Sequence, residues 1–245
     1  DAMTRLDLSE FAEAHAIAKL IGAPPGYVGH EAGGQLTEAL RKRPYQVVLL
    51  DEVEKAHRDV LQAFLQVFDE GRMTDGRGRL VDFTNTVIVM TSNLGVAELR
   101  HARDRRGIGF GGQGAVPASA LEDAVVGAAK KSLAPELFNR IDEVVFYPPL
   151  ERAQIAEIAR KLLEEVAQRL EEKGVTMQID DDGIEALLEA GGYDPELGAR
   201  PMRRAIGRLV EAPIAERLLR RELPSGATVI VGAEDGKVAI DAVLP

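Results

Sequence analysis

The chain contains no cysteine and no tryptophan, and aromatic residues make up 4% of its 245 positions. Without a thiol there is no disulfide framework and no thiolate chemistry, which fits a reducing cytoplasm. The four histidines stand scattered at 15, 30, 57 and 101, and none has zinc-ligand spacing. No apolar run approaches the roughly 18 residues of a membrane span, and no signal peptide opens the chain, so no membrane partner is expected. Basic charge is also short. Lys and Arg number 30 against 40 Asp and Glu, a net charge of −10. That balance argues against non-specific duplex binding, and no nucleic-acid partner is expected. With aromatics so few, any exposed one needs a reason. An initiator Met is missing too, and the chain reads as a piece of something longer.

Against these absences stands Val47-Val48-Leu49-Leu50-Asp51-Glu52. Four β-favouring apolar residues suit a strand buried on both faces of a parallel sheet. The two carboxylates then fall at its carboxyl end, where open α/β sheets bind ligands. The chemistry of such a pair is that of a Walker B motif. Asp51 would hold Mg²⁺, directly or through water, and Glu52 would orient and deprotonate the water attacking a γ-phosphate. A plainer reading keeps the acids as caps of the next helix.

Along the chain, Ala2 to Leu8 holds a short strand, and Asp7 or Ser9 caps a helix expected from about Glu10 to Leu20. Gly22 to His30 is a Gly/Pro loop carrying Tyr27 and Val28 between Gly26 and Gly29. It is either a packed turn or a mobile finger. A helix is expected over Gly33 to Arg43, ended by Pro44. A second runs over Glu54 to Phe68, with Val60, Leu61, Phe64, Leu65 and Phe68 in the core. Asp75-Gly76 signals a turn. Thr86 to Met90 reads as another buried strand, running into Thr91-Ser92-Asn93, with Asn93 in the ligand crevice. A glycine-rich surface loop spans 100 to 117, and Ala120 to Leu133 is helical. A last strand is expected at Glu143 to Tyr147. Pro148-Pro149 then separates a first domain, 1–149, from a second, 150–245. The second opens with a helix at about Glu151 to Lys173, with Ile155, Ile158, Leu162, Val166 and Leu170 on one face. It closes with two strands around Glu234-Asp235-Gly236.

Two motif matches fail on context. Gly107-Ile108-Gly109-Phe110-Gly111-Gly112 fits G-x-G-x-x-G but follows no strand, and Pro117 comes soon after. His57-Arg58-Asp59 mimics a kinase catalytic loop without its asparagine. The phosphate-cradling G-x-x-x-x-G-K-[ST] occurs nowhere in the 245 residues.

The stretches GAPPGYVGHEAGGQLTEALRKRP, VVLLDEVEKAH, GRMTDGRGRLVDF, TSNLG, LFNRIDEVVF and GARPMRRAI, in this order, resemble the C-terminal ATPase module of Clp-family AAA+ unfoldases and disaggregases. The resemblance covers nearly the whole chain. It implies an α/β fold, a P-loop-type parallel sheet flanked by helices, followed by a small α+β C-terminal lid. It implies ATP/ADP and Mg²⁺ as ligands and a homo-oligomeric, hexameric ring acting on unfolded or aggregated polypeptides. Residue by residue, Gly26-Tyr27-Val28-Gly29 corresponds to the pore loop that pulls on substrate, and Asp51 and Glu52 to the Walker B pair. Asn93 corresponds to the first sensor, and Arg140 to the arginine finger that reaches a neighbouring site and contributes roughly 10³–10⁵ in rate. Arg200 corresponds to the second sensor, contacting nucleotide. The family carries its phosphate loop just upstream of the stretch matching Asp1, on a strand central in the sheet. The expectation is therefore a module without its first strand, phosphate loop and first helix, inactive alone.

Two readings follow: an ATP-driven remodelling motor, or a non-hydrolysing fragment that uses the AAA+ surface for ring assembly. Within the first, Ile108-Gly109-Phe110 stands in the region of the family's peptidase-docking loop, a few residues further on than its pattern. Peptidase feeding and free disaggregation both stay open. A pull-down with Clp peptidase, with and without deletion of residues 107–112, separates them. Docking predicts capture by the intact ring and loss on deletion. No capture by the intact ring removes the peptidase as a partner.

Overall fold

The computed structural model describes residues 2–27, 33–96 and 118–245. The expected loop residues Val28 and Gly29, and Ile108-Gly109-Phe110, lie outside them. The chain divides into two compact units, Asp1–Phe146 and Tyr147–Pro245.

In the first unit three strands run parallel in the order β1 (Met3–Asp7), β2 (Gln46–Asp51), β5 (Thr86–Met90). The run ending in Asp51 is thus central, hydrogen-bonded on both sides. One sheet face carries Leu6, Val48 and Leu50 into a core with Leu36 and Leu40 of α2 (Gln35–Lys42) and Val60 and Phe64 of α3 (Arg58–Glu70). Among the described residues the other face is poorly covered. Its first cross-strand row is Met3, Val47, Val87 and its second Arg5, Leu49, Val89. Met3, Val87 and Val89 are exposed, Val87 to 62%. The expectation of strands buried on both faces is therefore wrong for β5 and only half right for β2. A parallel sheet hides both faces only when helices lie on both.

The expected strand Glu143 to Tyr147 does not form; those residues lie in no ladder. Val144, Val145 and Tyr147 are exposed, Tyr147 to 85%. A strand exists only through its neighbours, and among the described residues the outer edge of β5 pairs with nothing. The helix expected over Glu10 to Leu20 is also broken. It becomes a 3-10 turn at Leu8–Phe11 capped by Asp7, a second at Ala14–Ala16, and the short α1 (Ile17–Ile21). The Phe11 carbonyl that would continue a helix instead accepts from the backbone N–H of His57 at 2.8 Å. His57 in turn caps α3 through Nδ1, so this helix starts four residues later than its apolar spacing suggested. Val67 joins its core face, while Leu61, Leu65 and Phe68 are only partly buried. Helices α4 (Ala118–Ser132) and α5 (Pro135–Phe138) complete the unit.

The Asp75-Gly76 signal holds. Strands β3 (Arg72–Thr74) and β4 (Leu80–Asp82) pair antiparallel around it. Asp75 is buried and accepts from the backbone N–H of Arg77 and Arg79 at 2.9 and 2.8 Å and from Arg79 Nε at 2.7 Å. Burial pushes its carboxyl up, but the hydrogen bonds from Arg79 and Arg77 outweigh that and hold it below the ordinary value. Arg79 Nη2 also reaches Glu38 of α2 at 2.7 Å.

The second unit packs α6 (Arg152–Glu171) against a sheet ordered β6 (Thr176–Ile179), β7 (Thr228–Glu234), β8 (Lys237–Val243). Glu151 and Gln154 form a capping box at the start of α6. Its buried seam runs through Ile155, Ala159, Leu163, Val166 and Leu170. Ile158 and Leu162, expected in that seam, are only partly buried, and Ala159 and Leu163, one position on, take the buried places. Asp235-Gly236, both at positive φ, turn β7 into β8. Helix α7 (Asp181–Leu187) runs into a π turn, and α8 (Arg200–Ile206) continues through a π turn, Gly207–Glu211, into α9 (Ala212–Leu219). Pro213 explains the second π turn, since it has no N–H for the carbonyl four residues back.

Truncating Asp75 orphans two backbone N–H groups. Asp75→Ala is expected to cost roughly 1–3 kcal/mol in urea unfolding. Asp75→Asn, whose amide oxygen still accepts, should cost less. Equal losses would show that backbone capping is not what Asp75 supplies.

Candidate functional site

Parallel pairing sets the site. The register Asp7↔Asp51 and Leu50↔Met90 brings the carboxyl ends of β1, β2 and β5 together. Asp51 is the last residue of β2. Thr91, just past β5, donates its hydroxyl to Asp51 Oδ1, and Arg5 of β1 donates from Nη2 to Oδ2 at 2.5 Å. The Thr91 hydroxyl, then the Arg5 guanidinium, hold the Asp51 carboxyl below its ordinary value of 3.8. Asp51 is therefore anionic and fixed in orientation.

Glu52 breaks out of the strand in the left-handed region, φ 55° and ψ 52°. A non-glycine residue there costs of order 1–3 kcal/mol and needs its surroundings to enforce it. Thr91 does so: its Oγ1 accepts from Glu52 N at 3.2 Å, and its carbonyl accepts from Val53 N at 3.0 Å. The Glu52 carboxylate has no hydrogen-bond partner among the described residues. One junction thus presents a clamped carboxylate and a free one.

Asn93 lies beside this junction, exposed. Glu54 holds its segment, accepting from Ser92 Oγ at 2.8 Å and from Asn93 N at 3.2 Å. Asp51, Glu52 and Asn93 are therefore gathered at one end of the sheet. Arg140 is not. It pairs with Asp69, near the far end of α3, about 15 Å along the helix from its first turn at 1.5 Å per residue. Arg200 opens α8 in the second unit, exposed.

Tyr27 is 69% exposed, and Gly26 beside it sits at φ 93° with open space around its Cα. The base of this loop is tight. A Cβ on Gly34 would meet the Leu20 carbonyl oxygen at 2.3 Å, and one on Gly76 the Gly22 carbonyl oxygen at 2.2 Å. Gly76 N donates to the Ile21 carbonyl at 2.9 Å. The β3–β4 hairpin is thus locked by backbone contact to the root of the Tyr27 loop.

Arg5, Thr91 and Glu54 were not among the site residues expected from sequence. Thr91 carried a signal, a hydroxyl just past a strand end. Arg5 carried none, because its partner lies 46 residues away. Among the described residues no three His, Asp or Glu are grouped to hold a metal. One fixed carboxylate fits Mg²⁺ as it is usually held, by one or two carboxylates with waters and substrate phosphates.

A family model described as AAA domain (Cdc48 subfamily) matches residues 1–144, and one described as the C-terminal, D2-small domain, of ClpB protein matches residues 150–231. Chaperone protein ClpC4, chloroplastic, of Oryza sativa subsp. japonica is 49% identical over 98% of this chain and 25% of its own length. Chaperone protein ClpB of Meiothermus ruber is 46% identical over 94% of this chain and 26% of its own length. That of Rhodopirellula baltica is 48% identical over 93% and 25%. The chain spans about a quarter of the length of these relatives.

Because the folded Asp51 pKa lies below the unfolded one, its contribution to stability is full above the unfolded pKa. It is lost as pH falls through the folded pKa. Arg5→Gln and Thr91→Val should each move the Asp51 carboxyl midpoint, read by NMR, up toward 3.8. The exposed Arg5 pair should add no more than about 1 kcal/mol at neutral pH. An unmoved midpoint in both variants would overturn the clamp.

Proposed function

The chain belongs to the Clp family of AAA+ ATPases, as its C-terminal module, and from that premise we propose that it is the motor module of a chaperone ring that threads polypeptide through a central pore. The observation that carries this reading is the junction after β2, with Asp51 clamped by Thr91 and Arg5 and Glu52 left free.

Asp51 is the fixed anion that would hold Mg²⁺, directly or through water, and Mg²⁺ bound with ATP would neutralise charge on the γ-phosphoryl group. Glu52, with no hydrogen-bond partner among the described residues, accepts the proton of the attacking water. Asn93, held through Glu54, orients that water. Arg140 sits too far along α3 to serve Asp51 of its own chain. It serves a neighbour's site by exchanging Asp69 for a phosphate, which calls for a closed, hexameric ring. Arg200 contacts nucleotide from the lid, residues 150–245, while residues 1–149 form the large subdomain. Tyr27 offers unfolded or aggregated polypeptide a sequence-independent apolar grip.

Residues 1–245 contain no phosphate loop. Alone they present carboxylates to a tetra-anion and bind ATP poorly. Among the described residues, the exposed sheet face, the unpaired outer edge of β5 and the absence of a ladder at Glu143 to Tyr147 support a seat for a further strand. The same lack favours the second reading, an assembly fragment without hydrolysis. Peptidase feeding rests on Ile108-Gly109-Phe110, and the working compartment is read as the cytoplasm.

The test is the complete parent carrying Tyr27→Ala, assayed for phosphate release and for unfolding of a fluorescent substrate. Hydrolysis should persist and unfolding should be lost. Unfolding at the wild-type rate would remove Tyr27 from the pore.

A further inference from the structure

Helix α8 and the π turn after it carry Arg200, Arg203, Arg204 and Arg208, all exposed. None of the four guanidinium groups has a hydrogen bond or ion pair among the described residues. This is unexpected where acids outnumber bases 40 to 30. The arginines of α6 behave differently. Arg152 holds Glu185 and Glu189, Arg160 holds Glu157 and Asp181, and Arg169 holds Glu211.

Spacing makes a line of the unpaired cations. Arg200, Arg204 and Arg208 recur every four residues, so they share one face about 12 Å long, with Arg203 beside it. The opposite face is anchored, since Met202, Ala205, Ile206 and Val210 are buried in the core of the unit. The strip is therefore displayed on a rigid support. Each head is a planar fork suited to phosphate oxygens. Contiguous charges at close intervals, as in a phosphate chain, answer such a line better than single carboxylates on separate side chains.

We propose that the exposed face of α8 is a phosphate-chain binding strip in which Arg204 and Arg208 extend the nucleotide contact of Arg200. This rests on the motor reading, in which Arg200 meets nucleotide, and adds two phosphate-binding residues along the same face.

The experiment titrates inorganic tripolyphosphate, without divalent cation, into the 245-residue chain by calorimetry at low and moderate salt. Circular dichroism checks each variant's fold. Binding should be weak and fall with salt. Arg204→Gln and Arg208→Gln should each weaken it by roughly three- to tenfold. Arg160→Gln removes the same charge from a paired site and should leave it unchanged. Equal loss in Arg160→Gln and Arg204→Gln would reduce the effect to net charge and overturn the strip. So would tighter binding of an oligoglutamate peptide than of tripolyphosphate. The two readings fail separately. ATP hydrolysis by the parent that is indifferent to Glu52→Gln sinks the motor and leaves the strip standing. Wild-type affinity in Arg204→Gln and Arg208→Gln does the reverse.

Discussion

Thr91 and Arg5 reach Asp51 from the two strands that flank it, and the carboxyl end of the first unit is organised by that pair of contacts. Three parallel strands ending together would otherwise set Asp7 and Asp51 side by side with Glu52 next in sequence. The guanidinium of Arg5 offsets that crowding. The hydroxyl of Thr91 joins the end of β5 to both Asp51 and the amide of Glu52, and so enforces the left-handed turn that frees the Glu52 carboxylate. Adjacent carboxylates differ in this way, one clamped and one not, because the backbone changes conformation between them.

The sheet is asymmetric in what it hides. Leu6, Val48 and Leu50 are buried, whereas Met3, Val87 and Val89 on the reverse face are exposed. Exposed apolar rows beside an unpaired strand edge are normally blunted by charge, proline or cover. Here Arg5 is the one charged side chain in those two rows. The same gap leaves Glu143 to Tyr147 without a ladder. A β-rich segment is not sufficient for a strand, because its hydrogen bonds belong to a neighbour.

The Tyr27 loop and the β3–β4 hairpin share a root built from backbone. Gly34 and Gly76 leave no room for a Cβ against Leu20 and Gly22. Asp75 and Arg79 then brace the hairpin on Glu38 of α2. The segment carrying the exposed Tyr27 is thereby rooted on close backbone contacts.

Much of this was legible in the sequence because it is local. An apolar run followed by two acids, Asp75-Gly76 as a turn, and glycines around an aromatic each carry their physics within a few residues. The family resemblance drew on the same short stretches. Register was not legible. That Arg5 faces Asp51 across 46 residues, that Phe11 gives its carbonyl to His57 rather than to a helix, and that Ala159 rather than Ile158 lines the seam of α6 all depend on which element lies alongside. Sequence alone determined which groups this chain could use at a phosphate site. Tertiary pairing decided which carboxylate is clamped, which is free and which sheet face stays bare, because hydrogen bonds and burial between distant segments exist only once those segments meet.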